Sequence, residues 1–493
     1  MKKMISIILM TMFAVGIVFA GGSSEAGSES ASAEPVELSW YFMGSYPQTD
    51  QQSVYDEFNR ILLERYNMTI DFKPVGWGDF DQKMQVMIAA GENFDICYTA
   101  NWINNYSQNV AKGAFVNLDD LLPKYAPNLY KSVPESGWDA VKIGGSIYAS
   151  INQQTATHMN AIAFPKSLVK KYNFDINNIK KLEDLEPYLA AVKAGEKNVI
   201  PFGAFNEPGT LTSYVKEYLG YEEVAGGAIP GAISTTGTDN KIFNQFASKK
   251  FKDWIYLMRD WYRKGYIKDD ALAITDMNPN LSSGGVGASM MGNYAPGAEA
   301  DTAARWGYPV VIAKLTKPYM MTSNFRGTMY GISATSKHPN EAVKFLEILN
   351  TDKELYNMIC FGIEGVHYNK AEGEYIKPIA DSGYNPSTIW AFGEVFNAYL
   401  LPGQPEDVWK QTKDMNKTAM VSPVMGFSFD PTPVQSEIAQ CVSVRQEFLP
   451  ALELGVVDPV KMLPVFLEKL DTAGAQTIID EAQRQLDAWL AAK

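Results

Sequence analysis

Aromatic and amide side chains follow three predicted strands near the start of the chain. The loops that carry them read Met43-Gly44-Ser45-Tyr46-Pro47, Gly76-Trp77-Gly78 and Asn101-Trp102. A tryptophan between two glycines has few local neighbours to pack against, so this pattern indicates a ligand-binding surface. The alternative is that each ring only closes the end of a sheet, which is a structural role.

The elements that must position these loops alternate between strand and helix. Apolar residues alternate in the strand-like segments and recur at helical spacing in the helix-like ones, which follow each other as 36–42, 54–62, 68–72, 80–88 and 95–98. This order predicts a β-α-β-α-β unit and a parallel sheet covered on both faces. Ligands of such sheets bind beyond the carboxyl ends of the strands, where the three loops lie.

Residues with catalytic or metal-binding chemistry do not form a recognisable motif. The three histidines, His158, His338 and His367, lie far apart without a second ligand at metal spacing. The chain lacks a Gly-x-Ser-x-Gly elbow and the Gly-Lys pair of a phosphate-binding loop. Adjacent acidic pairs such as Glu222-Glu223 suit caps or solvated faces. We therefore expect no catalytic residue, metal or cofactor, although two remote carboxylates brought together by the fold stay open as a hydrolytic pair.

Charge and cysteine content exclude several classes of protein. The 493 residues carry 43 Lys and Arg against 56 Asp and Glu, a formal charge of −13. This balance argues against a nucleic acid or an anionic membrane as partner, since both need a positive surface. Three cysteines are too few for a disulfide framework, and an odd number cannot all be paired within the chain. The length predicts two large domains or three smaller ones.

The N-terminus reads as an export signal. Residues 1–20 combine Lys2 and Lys3 with an apolar run and a small residue at Ala20, which predicts a cleaved signal peptide rather than an anchor helix. Residues 21–34, rich in Gly, Ser, Ala and Glu, predict a disordered linker.

Later segments resemble, in order, the extracellular solute-binding proteins of sugar ABC transporters. The N-terminal and central segments that carry this resemblance are Ile143-Gly144-Gly145-Ser146-Ile147-Tyr148-Ala149, Ala161-Ile162-Ala163-Phe164-Pro165-Lys166, Gly287-Ala288-Ser289-Met290-Met291-Gly292-Asn293-Tyr294 and the strand-to-helix return over 331–342. The C-terminal stretches 426–434, 450–459 and 485–489 resemble the large subgroup related to importers of aldouronates and other oligosaccharides. Many relatives carry a lipidated cysteine at the cleavage site, where this chain has Gly21.

The resemblance implies an α/β, two-lobed periplasmic-binding-protein fold, maltose-binding-protein-like, with hinge strands and a helical C-terminal region. We expect lobe one to comprise residues 35–152 and 324–383. Lobe two is expected to comprise residues 153–323 and 384–493.

The same resemblance implies a binding cleft between the lobes. The expected ligand-binding residues are Tyr41, Tyr46, Trp77, Asn101 and Trp102 from lobe one, Asn152 and Gln153 at the hinge, Asn293, Tyr294 and Trp306 from lobe two, and Arg326 near the return crossing. Rings would cover the C–H faces of a sugar, while amides and the forked guanidinium would bind its hydroxyls. For Trp138 and Trp390 we expect core packing.

The resemblance implies that the protein captures a carbohydrate, more specifically an oligosaccharide, for an ABC importer. Hinge closure around the sugar would prepare delivery to the membrane permease subunits. The protein is expected to be an exported monomer, periplasmic or extracellular, soluble after cleavage and free of a lipid anchor. Two alternatives stay open, namely an importer component for peptides or other solutes and a secreted carbohydrate-active enzyme.

Overall fold

A computed structural model of the chain describes residues 34–206, 211–227, 229–386 and 388–492. The strands of the described residues are β1 (Val36–Gly44), β2 (Met68–Gly76), β3 (Ile96–Thr99), β4 (Ala149–Ile151), β5 (Ala161–Pro165), β6 (Ile200–Phe202), β7 (Tyr221–Glu223), β8 (Ala232–Ser234), β9 (Val286–Met291), β10 (Val310–Lys314), β11 (Tyr319–Met320), β12 (Met329–Ile332), β13 (Tyr368–Lys370), β14 (Ile376–Pro378) and β15 (Met420–Val421).

Helices connect these strands and fill the C-terminal region. The α-helices of the described residues are α1 (Gln51–Tyr66), α2 (Phe80–Ala90), α3 (Tyr106–Ala111), α4 (Leu121–Tyr125), α5 (Pro127–Ser132), α6 (Glu135–Val141), α7 (Lys166–Lys171), α8 (Glu186–Gly195), α9 (Lys249–Arg263), α10 (Asn278–Ser282), α11 (Ala298–Trp306), α12 (Thr322–Phe325), α13 (Pro339–Thr351), α14 (Lys353–Phe361), α15 (Val408–Thr418), α16 (Gln435–Glu453), α17 (Pro459–Thr472) and α18 (Ala475–Ala492).

The first sheet has five strands in the order β2-β1-β3-β12-β4. The strands β2 and β3 both pair in parallel with β1, whereas β12 runs antiparallel between β3 and β4. The predicted β-α-β-α-β unit is therefore confirmed. The helix α2 ends at Gly91, whose positive φ of 65° lets its N–H close the last turn onto Met87 and Ile88.

The second sheet has four strands in the order β10-β5-β9-β6. The long helix α9 buries Trp254, Ile255, Met258 and Trp261 in the same core as this sheet. The C-terminal helices α16 to α18 add Cys441, Phe448 and other apolar side chains to that core. The predicted helical C-terminal region is confirmed from Gln435 onward, whereas Ile389–Ala391 and Val395–Asn397 form two short 3₁₀ turns.

Two large apolar cores define two lobes. The first lobe is built around β1 to β4 and β12, and the second around β5, β6, β9 and β10 together with a smaller core under α11. Core membership changes along the chain between Ile151 and Met159, between Ala313 and Met320, and between Ala398 and Met415, while Met425 also packs in the first core. We call these three segments the first, second and third passages.

The third passage lies later in the chain than the lobe boundary predicted after residue 383. Tyr384, Ala391, Phe392 and Ala398 pack in the core of the first lobe. The reason is that the segment after β14 returns to the first sheet before the chain crosses. The lobe boundaries stay a prediction, and we propose to move the third one beyond Ala398.

The predicted signal peptide and almost all of the predicted linker lie outside the described residues. Among the helices that the structure describes, none has the length and apolar character needed to cross a membrane.

Candidate ligand-binding site

Two tryptophans lie side by side at the carboxyl edge of the first sheet. Trp77 follows β2 and Trp102 follows β3, and the parallel pairing of both strands with β1 brings their ends to one edge. The two residues are 41% and 52% exposed, and their ring centroids lie 6.3 Å apart. The structure thus brings together the two tryptophans that the strand ends predicted, and their contact with a ligand stays a prediction.

A third tryptophan completes this group. Trp390 packs against the first core, as predicted, but its ring also stacks on Trp77 with centroids 6.0 Å apart and planes 25° apart. The same ring lies 6.2 Å from that of Trp102. We call Trp77, Trp102 and Trp390 the tryptophan platform. The sequence held no signal for the third member, because only the tertiary return of the chain brings it to this edge.

A backbone carbonyl in the turn between α12 and β12 supports the platform. The indole Nε1 of Trp102 donates to the carbonyl oxygen of Gly327 at 2.8 Å, and the hydroxyl of buried Tyr98 donates to the same oxygen at 2.9 Å. The ring of Tyr98 lies edge-on beneath Trp102 and Trp390. The platform is therefore a prearranged surface, which reduces the ordering cost of binding.

The amides expected at the hinge are bonded within the protein, and both residues also line a separate cavity of about 480 Å³. Asn152 is buried and donates from Nδ2 to the carbonyl oxygen of Ala391 at 2.8 Å, next to Trp390. The backbone of Gln153 pairs with Gly393 and Val395, and its Nε2 donates to the hydroxyl of Ser132 at 2.6 Å. Direct ligand contact by either amide stays a prediction that these bonds do not support.

The two tyrosines expected in lobe one lie in its core. Tyr41 is 9% exposed and packs edge-on against Phe94, on the face of β1 opposite to Trp40. Tyr46 packs edge-on against Phe42. Burial raises the pKa of both hydroxyls above the usual range for tyrosine. Neither ring joins the platform, because one belongs to a strand and the other folds back beneath the loop.

The residues expected from lobe two also pack internally. Tyr294 and Trp306 are each 6% exposed in the smaller core, where Lys314 Nζ lies 4.4 Å from the centroid of the Tyr294 ring. Asn293 is exposed and accepts a bond from the backbone N–H of Met159 at 3.0 Å. The structure does not bring these three residues to the platform.

Arg326 lies close to the second passage, as expected, but its fork is occupied. Its Nε donates to the carbonyl oxygen of Ala140 at 2.7 Å, and one terminal nitrogen donates to the carbonyl oxygen of Lys142 at 3.1 Å. The other donates to the hydroxyl of Ser428 at 2.8 Å. Burial lowers the pKa of this guanidinium. Arg326 therefore ties the first lobe to the C-terminal segment.

A cavity of about 490 Å³ lies between the lobes beside the platform. Its first-lobe wall includes Asn101 and Asn105, and Asn101 is bonded through its backbone N–H to the carbonyl of Arg326 at 2.9 Å. The second-lobe wall, which sequence reasoning missed, is formed by Lys216, Glu222, Glu223 and residues 224–227. We call this space the inter-lobe cavity.

The second-lobe wall combines the carboxyl groups of Glu222 and Glu223 with the ammonium group of Lys216. Burial raises the pKa of Glu222, although hydrogen bonds from Ser422 and from the Tyr319 hydroxyl, at 2.8 Å, partly offset this effect. Lys216 Nζ lies 3.7 Å from Glu223 Oε2. Such groups can accept hydrogen bonds from hydroxyls.

A second pair of titratable groups lies behind this wall. Glu217 Oε2 lies 2.9 Å from His158 Nδ1 and accepts a bond from Asn160 Nδ2 at 3.0 Å. Burial alone would raise the pKa of Glu217, but His158 and Lys216 together bring it below the usual range. Within the described ranges, no group of His, Cys, Asp and Glu side chains has a metal-binding arrangement.

A fold of two lobes joined by three passages, with a cavity between the lobes and an aromatic sheet edge next to Asn101 of that cavity, is typical of a protein that binds a ligand in a cleft. The model of the bacterial extracellular solute-binding proteins matches residues 44–355, and the chain belongs to this family. A second model, a domain of unknown function (DUF3502), matches residues 423–491.

Known proteins similar to this chain share most of its length. A carbohydrate ABC transporter substrate-binding protein of Streptococcus pneumoniae serotype 4 is 28% identical, over 97% of this chain and 96% of its own. The polygalacturonan/rhamnogalacturonan-binding protein YtcQ of Bacillus subtilis is 21% identical, over 74% of each chain.

A solved structure matches the fold closely. The crystal structure of the N-glycan transport solute binding protein (NgtS) from Streptococcus pneumoniae has a TM-score of 0.82 at 25% identity, covering 92% of this chain and 99% of its own. Structures of the same protein in complex with Man1GlcNAc and with Man5GlcNAc give TM-scores of 0.71 and 0.69.

Proposed function

We propose that this protein is the substrate-binding component of an ABC importer and captures an oligosaccharide between its lobes. The observation that carries the proposal is the tryptophan platform, whose exposed member Trp102 directly follows Asn101, a residue that lines the inter-lobe cavity. Indole faces match the apolar C–H faces of sugar rings. Asn101 and Glu223, on opposite walls, offer partners for the hydroxyls around those faces.

The similar proteins support the carbohydrate as the ligand class. One is named as a carbohydrate-binding importer component, and another was solved with mannose-containing glycans. The permease subunits of such an importer are the proposed partners. The protein is proposed to act as a monomer that binds no nucleic acid.

Binding is proposed to close the lobes around the sugar. The three passages are the segments available for such a hinge motion. The structure is more similar to NgtS without a named ligand than to its two sugar complexes, which fits an open arrangement here.

The proposed ligand is neutral. The walls of the inter-lobe cavity hold two carboxyl groups, Glu222 and Glu223, against two cations, Lys216 and Arg326, and the guanidinium of Arg326 is already bonded. A polyanionic sugar would therefore meet no excess of positive charge in this cavity. The neighbouring carboxylates serve hydrogen bonding in this proposal, and the protein cleaves no glycosidic bond.

Export is proposed to use residues 1–20 as a cleaved signal peptide, leaving a protein without a lipid anchor because Gly21 replaces the cysteine. Mass spectrometry of the mature protein would test this: a new N-terminus at Gly21 is expected, and an intact Met1 or a lipid adduct would contradict it.

A thermal-shift screen tests the proposed function. The probes are neutral mono- and oligosaccharides, oligogalacturonides and short peptides, each followed by chromatography of the recovered probe. We expect one or more neutral oligosaccharides to raise the Tm and to be recovered intact. Stabilisation by peptides alone, stabilisation by no probe, or cleavage of the sugar would each overturn the proposal. Small-angle X-ray scattering with the stabilising sugar should show a smaller radius of gyration, and an unchanged radius would overturn closure.

A further inference from the structure

A second, larger cavity lies next to the inter-lobe cavity. It has a volume of about 1030 Å³ and is bounded on one side by residues 107–111 and 139–145 of the first lobe. Half of its lining residues belong to the stretch 423–491, which matches the domain of unknown function. We call this space the distal cavity.

The two cavities adjoin and share part of their lining. Both are lined by Ser107 and Gln108 on the first lobe and by Ser428, Phe429 and Pro431 on the C-terminal segment. Arg326 lies at the junction, since it lines the inter-lobe cavity and is bonded to Ser428 and to the carbonyl of Lys142. The fork of this arginine therefore bonds to both walls of the groove in this structure.

The floor of the distal cavity brings the C-terminal domain close to the first lobe. Gly426 adopts a positive φ of 94°, and a Cβ at this position would lie 3.0 Å from the carbonyl oxygen of Asp139 and 3.4 Å from the ring of Trp489. Its backbone N–H donates to the hydroxyl of Thr322 at 2.8 Å. Only a residue without a side chain fits this contact.

The lining combines aromatic rings with polar groups that carry little free charge. Phe429 and Trp489, both half-buried, provide the rings, and exposed Gln108 and Gln435 provide amides. Asp139 is paired with Lys142 at 2.8 Å, and the carboxylate of Asp430 accepts a bond from the backbone N–H of Thr432 at 3.0 Å. This composition repeats the combination of rings and amides that the platform and Asn101 provide.

We infer that the C-terminal domain supplies a distal subsite for the far units of an extended neutral oligosaccharide whose near units lie on the tryptophan platform. This inference rests on the proposed function. A single pocket of 300–1,000 Å³ takes a compact ligand, whereas two adjoining spaces suit a chain of several sugar units. The domain of unknown function is then a part of the binding site that selects ligands by length.

Calorimetric titration with the short and the long sugar of one series, called the short and the long partner, tests this inference. The probes are Man1GlcNAc with Man5GlcNAc, mannobiose with mannohexaose, and xylobiose with xylohexaose. In Trp489→Ala we expect the affinity for the long partner to fall about 5- to 150-fold, as for one lost stacking contact, while the affinity for the short partner changes less than about twofold. Trp77→Ala should lower the affinity for both the short and the long partner.

Two further variants guard against loss of folding. The double variant Gln108→Ala/Gln435→Ala removes exposed amides only and should reproduce the length-dependent loss in a folded protein, so it decides the outcome if Trp489→Ala unfolds. Tyr256→Ala removes an exposed ring on α9 as a matched control and should change neither affinity.

The outcomes separate the inference from the proposed function. If the variants lose affinity for the long and the short sugar equally, or if the double variant loses affinity for neither, the distal subsite is overturned while the carbohydrate function stands. If the wild-type protein binds none of the six sugars, the proposed function is overturned and the inference falls with it.

Discussion

The indole rings of Trp77 and Trp390 stack with their centroids 6.0 Å apart and their planes 25° apart. One ring comes from the turn after β2 and the other from a 3₁₀ turn that Asn152 holds in place through the carbonyl of Ala391. The binding surface is thus assembled from both ends of the first lobe, and one of its supports lies in the first passage. A motion of that passage would act directly on the position of Trp390.

Removing either ring of this pair should weaken sugar binding. We expect Trp77→Ala and Trp390→Ala each to cost about 1–3 kcal/mol of binding free energy, because each removes one stacking face. Calorimetry with the sugar found by thermal shift measures this loss. Tyr294→Ala serves for comparison: its ring is buried in the smaller core, so we expect lower stability with little direct effect on affinity. Unchanged affinity in both tryptophan variants would remove the platform from the site.

Replacing the buried guanidinium should destabilise the protein. Arg326→Lys leaves some of the acceptors Ala140, Lys142 and Ser428 without a donor, because an ammonium cannot reproduce the planar fork. We expect a loss of about 2–4 kcal/mol in the free energy of unfolding, measured with urea. The exposed Arg60→Lys should change it by less than about 0.5 kcal/mol. A variant of unchanged stability that binds sugar poorly would instead make Arg326 a ligand contact.

The buried carboxyl of Glu453 should make stability depend on pH. It accepts bonds from the backbone N–H groups of Leu211 and Thr212, yet burial raises its pKa to about 8. The folded protein therefore holds this proton more tightly than the unfolded chain, whose glutamates titrate near about 4.3. The stabilising contribution of this group is complete below that value and is lost as the pH rises through about 8.

Comparison with Glu453→Gln isolates this contribution. We expect the free energy of unfolding of the wild type, relative to the variant, to fall between pH 5 and pH 8 in urea titrations. Glu447→Gln, at an exposed position of the same helix, should follow the wild type at every pH. A difference between wild type and Glu453→Gln that stays constant over this range would contradict the raised pKa.

The charge of the second-lobe wall should discriminate against acidic sugars. We expect oligogalacturonides to bind more weakly than neutral oligosaccharides of equal length, since Glu222 and Glu223 line the inter-lobe cavity. In Glu223→Gln the affinity for the acidic sugar should rise about fivefold, equivalent to about 1 kcal/mol, and added salt should reduce this gain. Glu183→Gln, exposed outside the cavity, is the matched control. Tighter binding of the acidic series by the wild type would contradict a neutral ligand.

The aromatic edge of the first sheet could be predicted because parallel strands fix which loops meet. Trp77 follows β2 and Trp102 follows β3, and both strands pair with β1. The strand order alone therefore predicts that the two residues lie close together. Trp390 could not be found in this way, since its position depends on hydrogen bonds from Asn152 and on the return of the chain after β14.

The remaining predicted residues show where sequence patterns give too little information. Tyr41 belongs to a strand that is buried on both faces, so an aromatic at this position is a core residue. Arg326 was expected near a crossing, and it lies near one, but no pattern tells which acceptors a guanidinium will meet. Which side of a turn Tyr294 takes likewise depends on the packing of α11, which the local spacing does not specify.

The exposure of the platform has an optical consequence. Among the tryptophans of the described residues, Trp77 and Trp102 are the most exposed, and they lie within 6.3 Å of each other. Their emission therefore reports on water at the sheet edge, while the buried indoles supply a blue-shifted background. Any occupant of the edge should quench or shift the red side of the spectrum, so the unlabelled protein carries its own fluorescent readout of occupancy.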